Sequence, residues 1–370
     1  MDVQRLKDNF ARVAQHGDAV PMFFYSHLFV CYPEVRDLFP VSMRGQRDRL
    51  FGALGRIVSQ VDDLDNLVPF LQQLGSDHRK FGTVAEHYPA VGASLVATLK
   101  HFSGPAWTAE LEADWSGAYQ LVAQVMTQAA EEAAKTLPAW WQGTVIAHER
   151  RTFDVAVLRV RTEPPLGYTP GQSVALETSR RPGLWRFYSP ANTPRDNGVV
   201  DFHVRIVDGG RVSSALVRHV QVGETVRIGP PVGRLTLDPA SSRDLLMVAG
   251  STGLAPLKAV IEQLAQQERQ SRRVALFFGA RTPNGLYDLA ELDAMTHRYH
   301  WLSVVPAVSD DDLYTGERGL LPDVVARYGP WANHDVYVCG SPGMVEATTK
   351  QLLLMGTPEE RIRFDEFGDA

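Results

Sequence analysis

Three hydrophobic patterns succeed one another along the chain. Up to about residue 135, apolar positions recur at spacings of three and four. Tyr88, Val91, Leu95 and Leu99 share one helical face, and Leu111, Ala118, Leu121, Val122 and Val125 share another. Pro33, Pro40 and Pro105 stand where helices should stop. At Leu137-Pro138-Ala139-Trp140-Trp141 the pattern changes to alternation. Val155, Val157 and Arg159 alternate with Ala156, Leu158 and Val160, and later Val200, Phe202, Val204 and Ile206 with Asp201, His203 and Arg205. Turn signals at Tyr168-Thr169-Pro170-Gly171 and Gly229-Pro230-Pro231 then predict a small antiparallel barrel. From Arg243 onward, the short apolar runs Leu245–Ala249, Val274–Phe278, Trp301–Val305, Val336–Cys339 and Ile362–Phe364 alternate with helical stretches, the pattern of a parallel sheet with crossover helices. The expected fold class is multidomain: all-α over residues 1–137, an antiparallel β-barrel over 138–240, and an α/β parallel-sheet domain over 241–370.

Composition narrows the function. The chain has 370 residues, 44% hydrophobic and 22% charged, with a net charge of −6 and no run of Lys or Arg. That balance argues against nucleic acid and anionic membranes as partners. No apolar stretch reaches about 18 residues and the N-terminus lacks a signal pattern, so a cytoplasmic protein without membrane insertion is expected. The two cysteines, Cys31 and Cys339, lie in different predicted domains, and no disulfide is expected. Cys31 alone cannot ligate an iron–sulfur cluster in the helical segment.

Candidate chemistry in the last two segments is nucleotide binding. Gly250, Ser251, Thr252, Gly253, Leu254, Ala255 and Pro256 follow a buried strand and open a helix, where free backbone amides suit a pyrophosphate. Cys339-Gly340-Ser341-Pro342 repeats the strand–turn–helix pattern; Cys339 reads as a buried structural thiol or as a thiol beside a nicotinamide. Arg186, Phe187, Tyr188 and Ser189 offer a guanidinium fork, an aromatic face and a hydroxyl. Gly209, Gly210, Arg211, Val212 and Ser213 form a further strand-to-helix turn. In this order the motifs resemble the ferredoxin–NADP⁺ reductase superfamily over residues of about 139–370. The resemblance implies FAD and NADH or NADPH as cofactors, with Phe367 as the terminal aromatic over the flavin. Arg281 is a candidate for a nucleotide 2′-phosphate, or a solvated arginine.

The helical segment must then hold an electron acceptor. Tyr25 lies in Phe23-Phe24-Tyr25-Ser26-His27-Leu28-Phe29. Gln46 and Leu50 are four apart on the next long helix, and His78 lies near the end of a later one. Together with Tyr32–Pro40 and Tyr88, these positions resemble the globin of the flavohaemoglobins. The resemblance implies haem b with His78 as iron ligand, Phe39 and Leu50 against the haem, Tyr25 and Gln46 on the side that receives a gas, and Tyr88 behind His78. It also implies a monomeric enzyme that oxidises nitric oxide to nitrate with O₂ and NAD(P)H. The alternatives are a haem and FAD oxidoreductase acting on another substrate, and a haem gas sensor kept reduced by its own reductase. Five features depart from the family pattern. Ala130 replaces a glutamate, Asp77 replaces the lysine before the ligating histidine, Ser173 stands where tyrosine is common, Pro190-Ala191-Asn192 follows the flavin motif, and the C-terminus runs Asp365-Glu366-Phe367-Gly368-Asp369.

Overall fold

The computed structural model describes residues 1–40, 43–267 and 271–367. It divides into two compact units, Met1–Trp140 and Trp141–Ala370.

The first unit is helical: α1 (Val3–Ala14), α2 (Ala19–Cys31), α3 (Arg44–Ser59), α4 (Leu64–His78), α5 (Tyr88–Ser103) and α6 (Ala109–Thr136). Side chains of Asp2, Asp63 and Thr108 cap the first turns of α1, α4 and α6, satisfying amides that the helix leaves unpaired. Helices α4 and α6 approach so closely that a Cβ on Gly75 would overlap the Met126 backbone. Only glycine permits this contact, one turn before His78. The apolar interior forms two clusters. One gathers Leu6, Val13, Phe24, Tyr25, Leu28, Leu99 and Trp115. The other gathers Leu67, Leu71 and Met126, with Leu74, Tyr88, Val122 and Val125 half-buried around it. Leu121, expected on the inward face of α6, is instead 55% exposed. Ala118, Val122 and Val125 already occupy that face, and Leu121 lies about 100° round the helix from Val122. Proline 69 sits inside α4, where it removes one ladder hydrogen bond.

The second unit contains two six-stranded sheets. The first is antiparallel, from β1 (Trp141–Arg150), β2 (Val155–Thr162), β3 (Ser173–Thr178), β4 (Arg186–Tyr188), β5 (Val199–Arg205) and, after α7 (Arg211–Arg218), β6 (Thr225–Val232). Its order is β4-β3-β6-β1-β2-β5. A bridge between Pro190 and Phe202 brings its two ends together. Asn192 completes the closure: its side chain accepts from the Asp201 amide and donates to the Thr193 and Val199 carbonyls. The unusual Pro190-Ala191-Asn192 run thus seals the barrel, around a core that includes Leu158, Leu176, Phe202, Leu216 and Ile228.

The second sheet is parallel. Its elements are β7 (Leu245–Gly250), α8 (Leu254–Ala265), β8 (Val274–Ala280), α9 (Leu289–Arg298), β9 (Leu302–Val308), β10 (Glu317–Arg318), α10 (Leu321–Tyr328), β11 (Asp335–Gly340), α11 (Pro342–Leu354) and β12 (Ile362–Glu366). The strand order β10-β9-β8-β7-β11-β12 reverses between β7 and β11. Such a reversal opens a crevice at the carboxyl ends of the two strands, where ligands of open α/β sheets bind.

Candidate functional site

The crevice of the parallel sheet is built from backbone. Gly250 ends β7, Gly340 ends β11, and their main chains pass close enough that a Cβ on Gly340 would lie 3.2 Å from the Gly250 Cα. A Cβ on Gly253 would overlap the Cys339 carbonyl. Thr252 is buried, and Leu254, Ala255 and Pro256 turn their side chains into the sheet core. What this loop offers a ligand is therefore its amides and the start of α8. Ser251 has φ +52°, the one described non-glycine residue with positive φ, a strained conformation of the kind found at binding loops. Its hydroxyl accepts a 3.2 Å hydrogen bond from Arg205 at the end of β5, and Asp154 holds the same guanidinium at 3.0 Å. Arg205 had no motif to mark it; only the fold brings it to the loop.

Cys339 places its carbonyl at the crevice and its thiol in the core, where burial pushes the thiol pKa well up. Beside it on β12 is Asp365, registered opposite Cys339. Burial raises its carboxyl to about 6. Asp365 is a titratable group at the crevice that sequence marks only as part of the atypical C-terminal run, since nothing in sequence pairs positions 339 and 365. Phe367 follows, 36% exposed, with its amide donating to the Gly340 carbonyl at 2.7 Å. Ser341 and Pro342 are exposed at the start of α11. Arg281 pairs with Asp310 at 2.7 Å on the surface, so a carboxylate already occupies the proposed phosphate partner.

On the barrel, Arg186, Phe187 and Tyr188 form β4. The Arg186 guanidinium donates to the Trp185 carbonyl, Phe187 is exposed and Tyr188 is half-buried. Ser189 is 3% exposed and its hydroxyl has no hydrogen-bond partner. A buried hydroxyl without a partner is costly, so this one is available to a group bound beside β4. Gly210 precedes α7, Arg211 is exposed and Val212 is core. The Ser213 hydroxyl is engaged within the loop, between the Val207 amide and the Gly210 carbonyl.

In the helical unit, His78 ends α4. Its Nδ1 lies 2.7 Å from the Leu74 carbonyl. A carbonyl only accepts, so Nδ1 carries the proton and Nε2 presents its lone pair, without a protein partner among the described residues. Burial holds the imidazole pKa below its ordinary value, favouring the neutral, ligating form. Lys80 is buried and paired with Asp77 at 2.6 Å, so the aspartate before His78 neutralises a local lysine. Tyr25, Phe29 and Phe39 form an aromatic cluster, with Tyr25–Phe39 ring centroids at 5.5 Å and Phe29–Phe39 at 5.3 Å. The Tyr25 hydroxyl makes a long 3.5 Å bond to the Gln46 backbone carbonyl, and burial pushes its pKa up to about 12. It therefore stays a protonated donor. Gln46 is half-buried, its Oε1 accepting from Arg49 at 3.3 Å. The Arg49 charge is felt both at Tyr25 and at Lys80, which links the neighbourhoods of Tyr25 and His78. Leu50 lies half-buried on α3. Tyr88 opens α5, and its carbonyl accepts from the Tyr119 hydroxyl at 2.6 Å. One neutral imidazole with a free Nε2, among half-buried apolar and aromatic side chains, fits haem. Among the described residues, no group of three or more His, Cys, Asp or Glu side chains could hold a metal ion. Nor is any described helix long and apolar enough to cross a membrane.

Comparison with known proteins agrees with the fold. Residues 22–126 match the globin family, 142–237 the oxidoreductase FAD-binding domain and 247–350 the oxidoreductase NAD-binding domain. The flavohemoprotein of Bacillus subtilis (strain 168) is 25% identical over 99% of this chain and 96% of its own length. The ferredoxin–NAD(P)⁺ reductase component of the Pseudomonas putida naphthalene 1,2-dioxygenase system is 34% identical over 61% of this chain and 68% of its own. The crystal structure of flavohemoglobin from Malassezia yamatoensis, with bound FAD and heme, shares the fold over 99% of this chain and 98% of its own, with TM-score 0.82 at 18% identity. The cofactors are haem, FAD and a nicotinamide nucleotide, and the chain is an NAD(P)H-dependent oxidoreductase. It belongs to the flavohaemoglobins, a globin joined in one chain to a reductase of the ferredoxin–NAD(P)⁺ reductase family.

Proposed function

We propose that this protein oxidises nitric oxide to nitrate, using O₂ and electrons from NAD(P)H. Residues 1–137, 138–240 and 241–370 serve as its haem, flavin and nicotinamide domains. Nitrogen gives up three electrons in going from nitric oxide to nitrate, and O₂ takes four, so each turnover needs one electron. One NAD(P)H therefore supports two turnovers, releasing NAD(P)⁺ and one proton. When bound, FAD accepts hydride and passes single electrons on, and haem receives them and binds the gas.

The protein's own part is positioning and electrostatics. His78 holds iron through Nε2, with Nδ1 fixed on Leu74. Tyr25, kept protonated by burial, and Gln46 donate toward negative charge that develops on the gas, as preorganised oxyanion donors do. Phe39 and Leu50 exclude water, and Tyr88 packs behind the ligating side. On the reductase, Ser189 donates to the flavin edge, with Arg186, Tyr188 and the 210–213 turn holding the rest of FAD. The amides of 250–256, the 339–342 turn and Arg205 hold the nicotinamide nucleotide, and Phe367 covers the flavin.

The observation that carries this reading is the histidine with a free, neutral Nε2, in a unit where a buried tyrosine hydroxyl also faces α3. The test is nitric oxide consumption with NAD(P)H and O₂ by wild type and by His78→Ala. Wild type should consume it far faster than free FAD and haem, and the variant should not, although its flavin is still reduced. Equal rates would overturn the proposal. A second reading has its own observation. His78 donates to a neutral carbonyl, and Ala130 on α6 supplies no carboxylate, so the imidazole is a weaker electron donor to iron. That favours an enzyme acting on another substrate, or a gas-binding protein with slow turnover.

A further inference from the structure

Helix α8 and its C-cap carry a polar stripe at four-residue spacing, Lys258, Glu262 and the cap Gln266, beside the buried face of Leu254, Leu257, Val260, Ile261 and Leu264. Each stripe residue is engaged. Glu262 accepts the Thr193 backbone amide at 2.5 Å and the Arg195 guanidinium at 3.3 Å. Gln266 donates to the Thr193 hydroxyl at 2.8 Å. Lys258 is 8% exposed and binds Asp288 and Glu291 at the start of α9. Next to Asp288, the Tyr287 hydroxyl meets His203 Nδ1 of β5 at 2.7 Å.

The contacts of Glu262 and Gln266 have one address. Thr193 is the fourth residue after Ser189, the orphaned hydroxyl of the flavin motif, and Asn192 between them is locked into the barrel closure. The first turn of α8 opens on the nicotinamide crevice. One rigid helix therefore grips the strand exit of the flavin motif with its flank, and meets the nucleotide with its amino end. We infer that α8 sets the flavin against the nicotinamide, and that Glu262 is the positioning residue through its bond to the Thr193 amide. Hydride transfer is steep in distance, and a displacement of about 1 Å costs about a hundredfold. The binding amides of 250–256 are untouched by this contact, so its loss should slow transfer more than it weakens nucleotide binding.

This inference rests on the flavin and nicotinamide assignments and is independent of nitric oxide. The full-length, cofactor-loaded protein is mixed anaerobically with NADH in a stopped-flow spectrometer, and hydrogen exchange at the Thr193 amide is followed separately. In Glu262→Ala, flavin reduction at saturating NADH should fall about tenfold or more with KM little changed. The charge-transfer absorbance between flavin and nicotinamide should weaken, and Thr193 exchange should accelerate. Glu262→Gln keeps an acceptor for the amide and should recover most of the rate. Unchanged reduction and charge-transfer absorbance in Glu262→Ala, with Thr193 exchange accelerated, would overturn the inference. Should that variant not accumulate, Glu262→Asp, whose shorter side chain withdraws the acceptor from the Thr193 amide, carries the test, and a wild-type reduction rate there would likewise overturn it. Wild-type flavin that NADH cannot reduce would instead remove the underlying assignment, and the inference with it.

Discussion

His78 donates its Nδ1 proton to the carbonyl of Leu74, one turn back along α4, at 2.7 Å. The partner is a neutral main-chain oxygen that α4 itself provides, so the ligating tautomer is fixed without help from another element. What the arrangement lacks is a carboxylate as the partner of Nδ1, which would make the imidazole more basic. Replacing Ala130 with Glu on α6 should supply one. Nitric oxide turnover should rise, by up to roughly tenfold, and resonance Raman should show the iron–histidine stretch at higher frequency. An unchanged stretch would mean that position 130 does not address His78.

Tyr25→Phe deletes a buried donor while keeping the ring between Phe29 and Phe39. A hydrogen bond to a charged acceptor contributes about 1.5–3 kcal/mol. Dioxygen should therefore leave the reduced haem roughly 10–100-fold faster, as measured by stopped-flow displacement with carbon monoxide. Folding should change little, because the hydroxyl's protein contact is a long 3.5 Å bond.

Ser189→Ala should give effects of opposite sign on stability and on catalysis. The hydroxyl is buried without a partner, so its removal should leave the cofactor-free protein equally stable, or more stable by about 1 kcal/mol. Flavin reduction by NADH should nevertheless slow by about tenfold. Thermal melts of apo-protein alongside anaerobic reduction rates check both halves.

Asp365 links pH to stability. Its carboxyl titrates at about 6 in the fold, against 3.8 when unperturbed. Between those values the native state binds more protons than the unfolded chain, so stability is lost as pH rises from about 4 to 6 and stays lost above. Asp365→Asn should therefore stabilise the protein at pH 7, by up to about 3 kcal/mol, and have no such effect near pH 3.5. Melting curves of the two proteins across this range make the comparison. A difference that does not grow with pH would contradict the assignment.

The three textures of the chain were legible because helix, antiparallel sheet and parallel sheet bury apolar residues at different periods. The strand–turn–helix motifs at 250–256 and 339–342 were legible for a related reason, since glycine where two main chains nearly touch leaves a local mark. Leu121 misled because an apolar residue adjacent to an inward-facing one still looks periodic. Arg205 on Ser251 and Glu262 on Thr193 left no local mark at all, and Asp365 stood out only as part of an atypical C-terminal run, not as a neighbour of Cys339. Each contact joins positions between 26 and 69 residues apart, and only the topology brings them together. Pro190-Ala191-Asn192 looked like erosion of the flavin motif, and its role in closing the barrel could not be read without β5 alongside.

In the proposed function, electrons pass from nicotinamide through flavin to a haem held by His78. An anaerobic absorption spectrum of the purified protein, taken before and after NADH, tests it most directly. The flavin band should bleach and the haem Soret band should then move to its ferrous position, reversing when oxygen is admitted. Bleached flavin beside haem that stays ferric would contradict it.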